Sequence, residues 1–263
     1  MPDNSLCKTG IMEDLRQALI VSRYEALKFL SGYKLLIFGI IMITSLLLLS
    51  IANIIFMDDP TVNSVYSSFI SFVSLLALLG ATLFTSTTLS SEFEERTALV
   101  LFTKPIKKSS IFFGKILIAF ALNVAIFAIY YIVTTLVGLI ITHDISIDIL
   151  ASFGYLVTYI FTLTGIAVMF SSLMKKSSSA SILTFVFVLL VPSLILAVIM
   201  LAQDNMNVSD YWYFLDSAAA SIIYSVTGDV VNGPRDVATM FVWGLIPMII
   251  ASVSYTHLTL PTN

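Results

Sequence analysis

Six segments of this 263-residue chain lack Asp, Glu, Lys and Arg altogether, and each is long enough to cross a hydrocarbon core as a helix. Only helices and closed barrels satisfy their backbone hydrogen bonds inside a bilayer, and these segments are continuously apolar instead of alternating. They lie at about residues 35–57, 67–89, 116–141, 149–173, 177–201 and 237–253. We therefore expect an all-α integral membrane protein, a bundle of six transmembrane helices.

The composition agrees, because 58% of the residues are hydrophobic and only 11% are charged. We expect one transmembrane domain over residues 1–252. Its two longest aqueous connections are residues 90–115, called here the charged segment, and the loop of residues 202–236.

The basic residues predict the orientation of the bundle, since Lys and Arg are retained on the cytoplasmic side during insertion. Twelve of the 13 basic residues precede the first span or lie in the second-to-third and fourth-to-fifth connections, and only Arg235 lies on the other side. The connections on that other side are acidic, as at Asp58, Asp59 and Asp144. We expect a multi-pass protein of the plasma membrane with both ends in the cytoplasm.

Residues 11–34 predict an interfacial helix before the first span. At about 100° per residue, Leu15, Leu19, Ala26 and Leu30 form an apolar stripe beside a basic one. The alternative is a helix that simply leads into the first span.

The end of the chain, residues 253–263 (VSYTHLTLPTN), resembles the translated read-through of a sequencing-library adapter. We expect this tail to be non-native and exclude it, with His257, from the functional argument. The alternative is a genuine amphiphilic tail.

Catalysis by this chain is not predicted. Outside the tail, His143 and Cys7 are the only histidine and cysteine, so no metal site or resident cofactor is expected. No span contains an ionisable group of the kind that carries a coupling proton. The Gly114–Lys115 pair lacks the surroundings of a phosphate loop, so energy for transport would have to come from a cytoplasmic partner.

The charged segment carries the strongest functional signal. We expect span two to continue as a helix past the membrane, then to turn and stop at Pro105. A short apolar stretch with acidic neighbours fits a groove on another protein. The predicted docking residues are Glu92, Glu94, Glu95, Arg96, Thr97, Leu99, Leu101, Phe102 and Pro105.

The basic residues that follow predict contact with anionic lipid headgroups: Lys104, Lys107, Lys108 and Lys115. The alternative is a solvated loop that obeys the positive-inside rule. That alternative explains the lysines, but it explains neither the glutamates nor the apolar stretch.

A substrate path is a weaker prediction. Spans two and three carry polar groups, of which Asn123, Thr85 and Ser86 are the best candidates, because a buried amide in lipid demands a partner. Small hydroxyl residues in membrane helices more often pack helix against helix, and that alternative stays open.

The pattern after span two resembles that of the permease subunits of ABC-2 type ATP-binding cassette exporters. The family pattern is E-x-E-x-x-T, an apolar stretch, K-P-[IV], a basic cluster and G-K. The counterparts are Glu92, Glu94, Thr97, residues 99–102, Lys104, Pro105, Ile106, Lys107, Gly114 and Lys115. The resemblance runs from Leu15 to about Ile250. The family often has Arg where this chain has Lys107 and Lys108.

The resemblance implies a non-catalytic transport subunit with a coupling helix near residues 98–103. That helix would dock on a separate ABC ATPase, which binds ATP and magnesium. A second permease would complete the transporter as a homodimer or heterodimer, and nucleic acid would play no part. The branch of multicopper-enzyme maturation permeases is the nearest resemblance, although copper itself is not implied. The alternatives are an ATP-independent channel or facilitator, or a membrane scaffold that recruits a cytoplasmic partner.

Overall fold

The computed structural model describes residues 11–57, 60–94, 108–202, 212–229 and 232–257. Within these ranges the regular structure is helical throughout. The helices are α1 Ile11–Leu30, α2 Tyr33–Phe56, α3 Val62–Ile70, α4 Val73–Gly80, a π-helix Ala81–Thr85, α5 Ser90–Glu94, α6 Lys108–Thr142, α7 Asp148–Leu173, α8 Ser177–Ala202, α9 Leu215–Ala219, α10 Ser221–Thr227 and α11 Gly233–His257.

The six predicted spans are confirmed. In the described part of the chain, six helical stretches are long and apolar enough to cross a membrane. Spans one to six are Tyr33–Phe56, Val62–Thr85, Ser109–Thr142, Asp148–Leu173, Ser177–Ile199 and Gly233–Tyr255. The protein is therefore a multi-pass, all-α membrane protein.

Span two is the irregular one. It begins after Thr61, whose side chain accepts a hydrogen bond from the Ser64 N–H (3.2 Å) and so caps α3. A turn at residues 71–72 separates α3 from α4, and the π-helix completes the crossing. π-helical turns recur at functional sites, so the geometry of this span departs from that of a simple membrane anchor.

Span four is the centre of the bundle, and its closest partner is span six. Thr162 donates its hydroxyl hydrogen bond to the Met240 carbonyl across the interface (2.6 Å). Phe161 stacks on Phe241 with ring centroids 4.8 Å apart. At the same crossing Gly165 meets Gly244 so closely that a β-carbon on Gly165 would lie 2.1 Å from the Gly244 carbonyl oxygen. Small residues let membrane helices approach in this way.

The connection between spans five and six contains two short helices, α9 and α10, that pack into the bundle. The Ser152 hydroxyl of span four donates to the Ile222 carbonyl of α10 (2.6 Å). Trp243 of span six donates from Nε1 to the Tyr213 carbonyl (2.9 Å). The described part of this connection is therefore hydrogen-bonded to spans four and six.

The amphipathic helix predicted near the N-terminus is present as α1, but its predicted stripe is not the face that packs on the bundle. Leu19 and Leu30 are exposed, whereas Ser22 and Phe29 are buried. Phe29 reaches Phe84 of span two edge to face, with ring centroids 5.9 Å apart. The face that packs on the bundle therefore lies beside the predicted apolar stripe, and Leu19 and Leu30 of that stripe stay exposed.

The last helix continues past the predicted end of span six. Tyr255 is fully buried and its ring lies 5.5 Å from that of Phe112 in α6. Pro247 lies inside this helix. The adapter origin of residues 253–263 stays a prediction, and residues 258–263 lie outside the described part.

Candidate functional site

The candidate site is the end of the bundle where span two emerges and α5 begins. The backbone N–H groups of Leu89 and Ser90 both donate to the Ser171 hydroxyl oxygen, at 3.0 Å each. The first N–H groups of a helix have no partner within that helix, so a side chain from span four satisfies them here. All three residues are fully buried. The start of α5 is thereby fixed to the end of span four.

The end of α5 is fixed to span five by Glu94. The Ser177 N–H donates to the Glu94 carboxylate (2.9 Å), which caps the N-terminus of α8. Hydrogen bonds from the Ser177 backbone and side chain, with smaller contributions from Lys176 and Lys34, lower the pKa of this exposed carboxyl. The carboxylate therefore stays ionised below its ordinary titration range.

Span one contacts the same region. The Lys34 ammonium donates to the Thr87 hydroxyl (2.9 Å), just before α5. Phe38 of span one packs edge to face on Phe84, with ring centroids 5.6 Å apart. The exit of span two is therefore contacted by spans one, four and five.

The other side of the charged segment is held by α1. A β-carbon on Gly114 in α6 would lie 2.5 Å from the Ala18 carbonyl oxygen, so the two helix backbones nearly touch. One residue further, the Lys115 ammonium lies 3.3 Å from the Glu25 carboxylate, and both side chains are largely buried. The Gly-Lys pair of the sequence pattern thus has a structural role, which is to join α6 to α1.

The described part of the chain includes some of the predicted docking and headgroup residues. Glu92 and Glu94 lie in α5, and Lys108 begins α6. Lys115 is only 5% exposed and contacts Glu25, so it offers little surface to a lipid headgroup. The remaining predicted residues lie outside the described part: Glu95, Arg96, Thr97, Leu99, Leu101, Phe102, Lys104, Pro105 and Lys107. Their roles stay predictions.

The three predicted path residues lie between helices. Ser86 shares a hydrogen bond with Ser181 of span five (2.8 Å) and donates to the Thr82 carbonyl. Asn123 donates from Nδ2 to the Ala119 carbonyl (2.9 Å), while its Oδ1 faces Gly80 and has no partner among the described residues. The Thr85 hydroxyl is likewise unpaired among them. The bonds of Ser86 fit helix packing, and a lining role stays a prediction for all three.

Sequence reasoning missed the residues that anchor α5 and α6. Ser171 lies near the end of span four and Ser177 begins span five, positions at which serine is common and carries no special signal. Glu25 is one of several charges on α1. The pairing of these residues depends on contacts between helices distant in sequence, which no local pattern reports.

Much of the chain matches a known protein family. Residues 51–226 match the family described as "ABC-2 family transporter protein". The match begins within span one, includes the whole charged segment and ends in α10. A search of curated proteins found no match.

Proposed function

Because this chain belongs to the ABC-2 family of transporter proteins, we propose that it is the membrane-spanning permease subunit of an exporter driven by a separate ABC ATPase. The ATPase would bind ATP and magnesium and dock on the charged segment from the cytoplasm. A second permease, identical or different, would complete the transporter in the plasma membrane. This chain would bind no nucleotide and transmit movement only.

One observation supports this proposal above the others: α5 follows span two and is hydrogen-bonded to spans four and five through Ser171 and Glu94. A displacement applied to the charged segment would therefore be passed to three spans together. A solvated loop with no mechanical role would not require such anchoring. Transmission of a distant event needs contiguous packed and hydrogen-bonded elements of this kind.

The α1–α6 crossing supports the same mechanism from the other end of the charged segment. The Lys115–Glu25 pair and the close approach at Gly114 hold α1 against the start of span three. ATP-driven closure of the two ATPases would push on the segment between these anchors. Spans two and three would then tilt relative to the rest and alternate access to the two sides.

The proposal predicts that Leu101→Asp abolishes association with the ATPase. An acidic side chain in an apolar docking contact is desolvated without a partner, so we expect at least a tenfold loss of co-purified ATPase. The measurement is affinity capture of the tagged permease co-expressed with the ABC ATPase of its gene neighbourhood, followed by vanadate-sensitive ATP hydrolysis in liposomes.

The matched control is Ile145→Asp, the same kind of change at an exposed position beyond the opposite end of α6. It should leave both association and hydrolysis unchanged. Equal capture of the ATPase by Leu101→Asp and by the unmodified chain would contradict the docking assignment. Capture without stimulated hydrolysis would favour a scaffold, and transport without any ATPase would favour a facilitator.

A further inference from the structure

A cavity of about 290 Å³ lies in the half of the bundle farthest from α5. Its wall is formed by residues on both sides of the turn at residues 71–72 in span two, by span four and by the α9–α10 connection. The lining residues are Ile70, Ser71, Ser74, Tyr159, Asp216, Ala219, Ala220, Ile222 and Ile223. The volume lies just below the range for small-molecule sites, which span about 300 to 1,000 Å³, and suits a small ligand.

The wall is mostly apolar, and its polar groups are one carboxylate and a few hydroxyls. Asp216 is the one charged residue among the lining residues. Its Oδ2 accepts a hydrogen bond from Ser193 of span five (2.6 Å), and no cation pairs with it in the described part of the chain. An unpaired carboxylate beside apolar helices favours a positively charged neighbour.

A second observation points to a ligand. Tyr159 is only 5% exposed, lines the cavity, and its hydroxyl has no hydrogen-bond partner among the described residues. The Ser74 hydroxyl on the facing span is also without one there. Buried polar groups in folded proteins are nearly always hydrogen-bonded, so the free hydroxyl of the buried Tyr159, in a cavity shared with a carboxylate and the half-buried Ser74, indicates an incomplete polar site.

We propose that this cavity binds a small organic monocation with an apolar body. The ammonium group would pair with Asp216 and donate to Tyr159 or Ser74, while Ile70, Ile222 and neighbouring side chains would cover the apolar part. A carboxylate-bearing ligand would be repelled by Asp216. A metal ion would find one carboxylate and hydroxyl groups, too few charged oxygen ligands for a cation site.

The role of this ligand as a transported substrate rests on the proposed function. The cavity borders the turn at residues 71–72, and the same span carries α5 at its other end. Movement transmitted from the charged segment through span two would therefore alter the wall of the cavity. This arrangement provides a physical link between ATP hydrolysis and release of the cation.

Binding can be measured on the permease alone, in lipid nanodiscs, by isothermal titration calorimetry. The probe is phenethylammonium, with 2-phenylethanol as the neutral analogue of the same skeleton. We expect saturable binding of the cation and at least tenfold weaker binding of the alcohol, because a charge-assisted hydrogen bond is lost. Absence of saturable cation binding, or equal affinity for the alcohol, would overturn the site.

Single substitutions test how much each cavity residue contributes to binding of the cation. Asp216→Asn keeps an acceptor for Ser193 and should weaken cation binding by roughly tenfold or more, whereas Tyr159→Phe should weaken it by about threefold. Asp144→Asn removes the same charge from an exposed loop outside the cavity and should change nothing. Ala219→Leu fills the cavity and should abolish binding of both probes. Equal binding by all four variants would overturn the proposal.

A second readout separates this site from the proposed function. In the reconstituted complex, phenethylammonium should stimulate vanadate-sensitive ATP hydrolysis, and Asp216→Asn should remove the stimulation. Binding without stimulation would overturn the substrate role. Absence of any ATPase association would instead overturn the proposed function and leave the calorimetric result standing.

Discussion

Gly165→Ala is expected to lower the free energy of unfolding by about 3 kcal/mol, the upper part of the range for overpacking a core. The added β-carbon would lie 2.1 Å from the Gly244 carbonyl oxygen and 2.8 Å from its carbonyl carbon. Both atoms belong to the backbone of span six, so no side chain can rotate away. Spans four and six must separate, which also stretches the bond from Thr162 to Met240.

Gly154→Ala on the same helix is the matched control. A β-carbon there meets nothing within 4 Å, and the position is exposed. Alanine should stabilise it by up to about 1 kcal/mol through helix propensity. The measurement is reversible unfolding of the purified chain and both variants in mixed micelles with increasing SDS. A loss of stability that is equal for the two variants would contradict the described crossing.

Breaking the ion pair between α1 and α6 should have an effect of similar size. Lys115→Met leaves the Glu25 carboxylate, whose side chain is 12% exposed, without its ammonium partner at 3.3 Å. Removing one member of a largely buried pair destabilises by about 3 kcal/mol, because the remaining charge is desolvated and unpaired. Methionine retains most of the aliphatic volume, so the change tests charge rather than packing.

The test of this pair is a double-mutant cycle with Glu25→Gln in the same unfolding assay. The double variant should be at least about 1 kcal/mol more stable than the sum of the single effects predicts. Lys28→Met on α1 is the control, because Lys28 is exposed, and it should stay within about 0.5 kcal/mol of the unmodified chain. Absence of coupling in the cycle would show that the pair does not hold α1 to α6.

The number and type of membrane helices could be predicted because hydrophobicity alone decides them. The boundaries of span two were harder to predict. The sequence predicts residues 67–89, whereas the structure has Val62–Thr85. The helix thus begins five residues earlier than predicted, in a serine-containing stretch where Ser64, Ser67 and Ser68 each donate the hydroxyl to a carbonyl of the same helix or its cap. Such bonds let serine lie in a membrane helix at little cost.

The candidate site could be predicted from the sequence only in part, for a reason that applies to most helical membrane proteins. The charge pattern identified the segment after span two, because its glutamates and apolar residues have no local explanation. It did not identify Ser171, Glu25 or the free hydroxyl of Tyr159. These residues matter through neighbours on other helices, and the crossing points depend on close approaches such as Gly114 to Ala18.

The central claim requires the charged segment to face the cytoplasm, where an ATPase can reach it. Cysteine labelling in intact cells measures this directly. With the single native cysteine removed by Cys7→Ser, Ser109→Cys and Asp144→Cys place one thiol near each end of α6, both at exposed positions. A membrane-impermeant maleimide should label Asp144→Cys in intact cells and Ser109→Cys only after permeabilisation. Labelling of Ser109→Cys in intact cells would contradict the account.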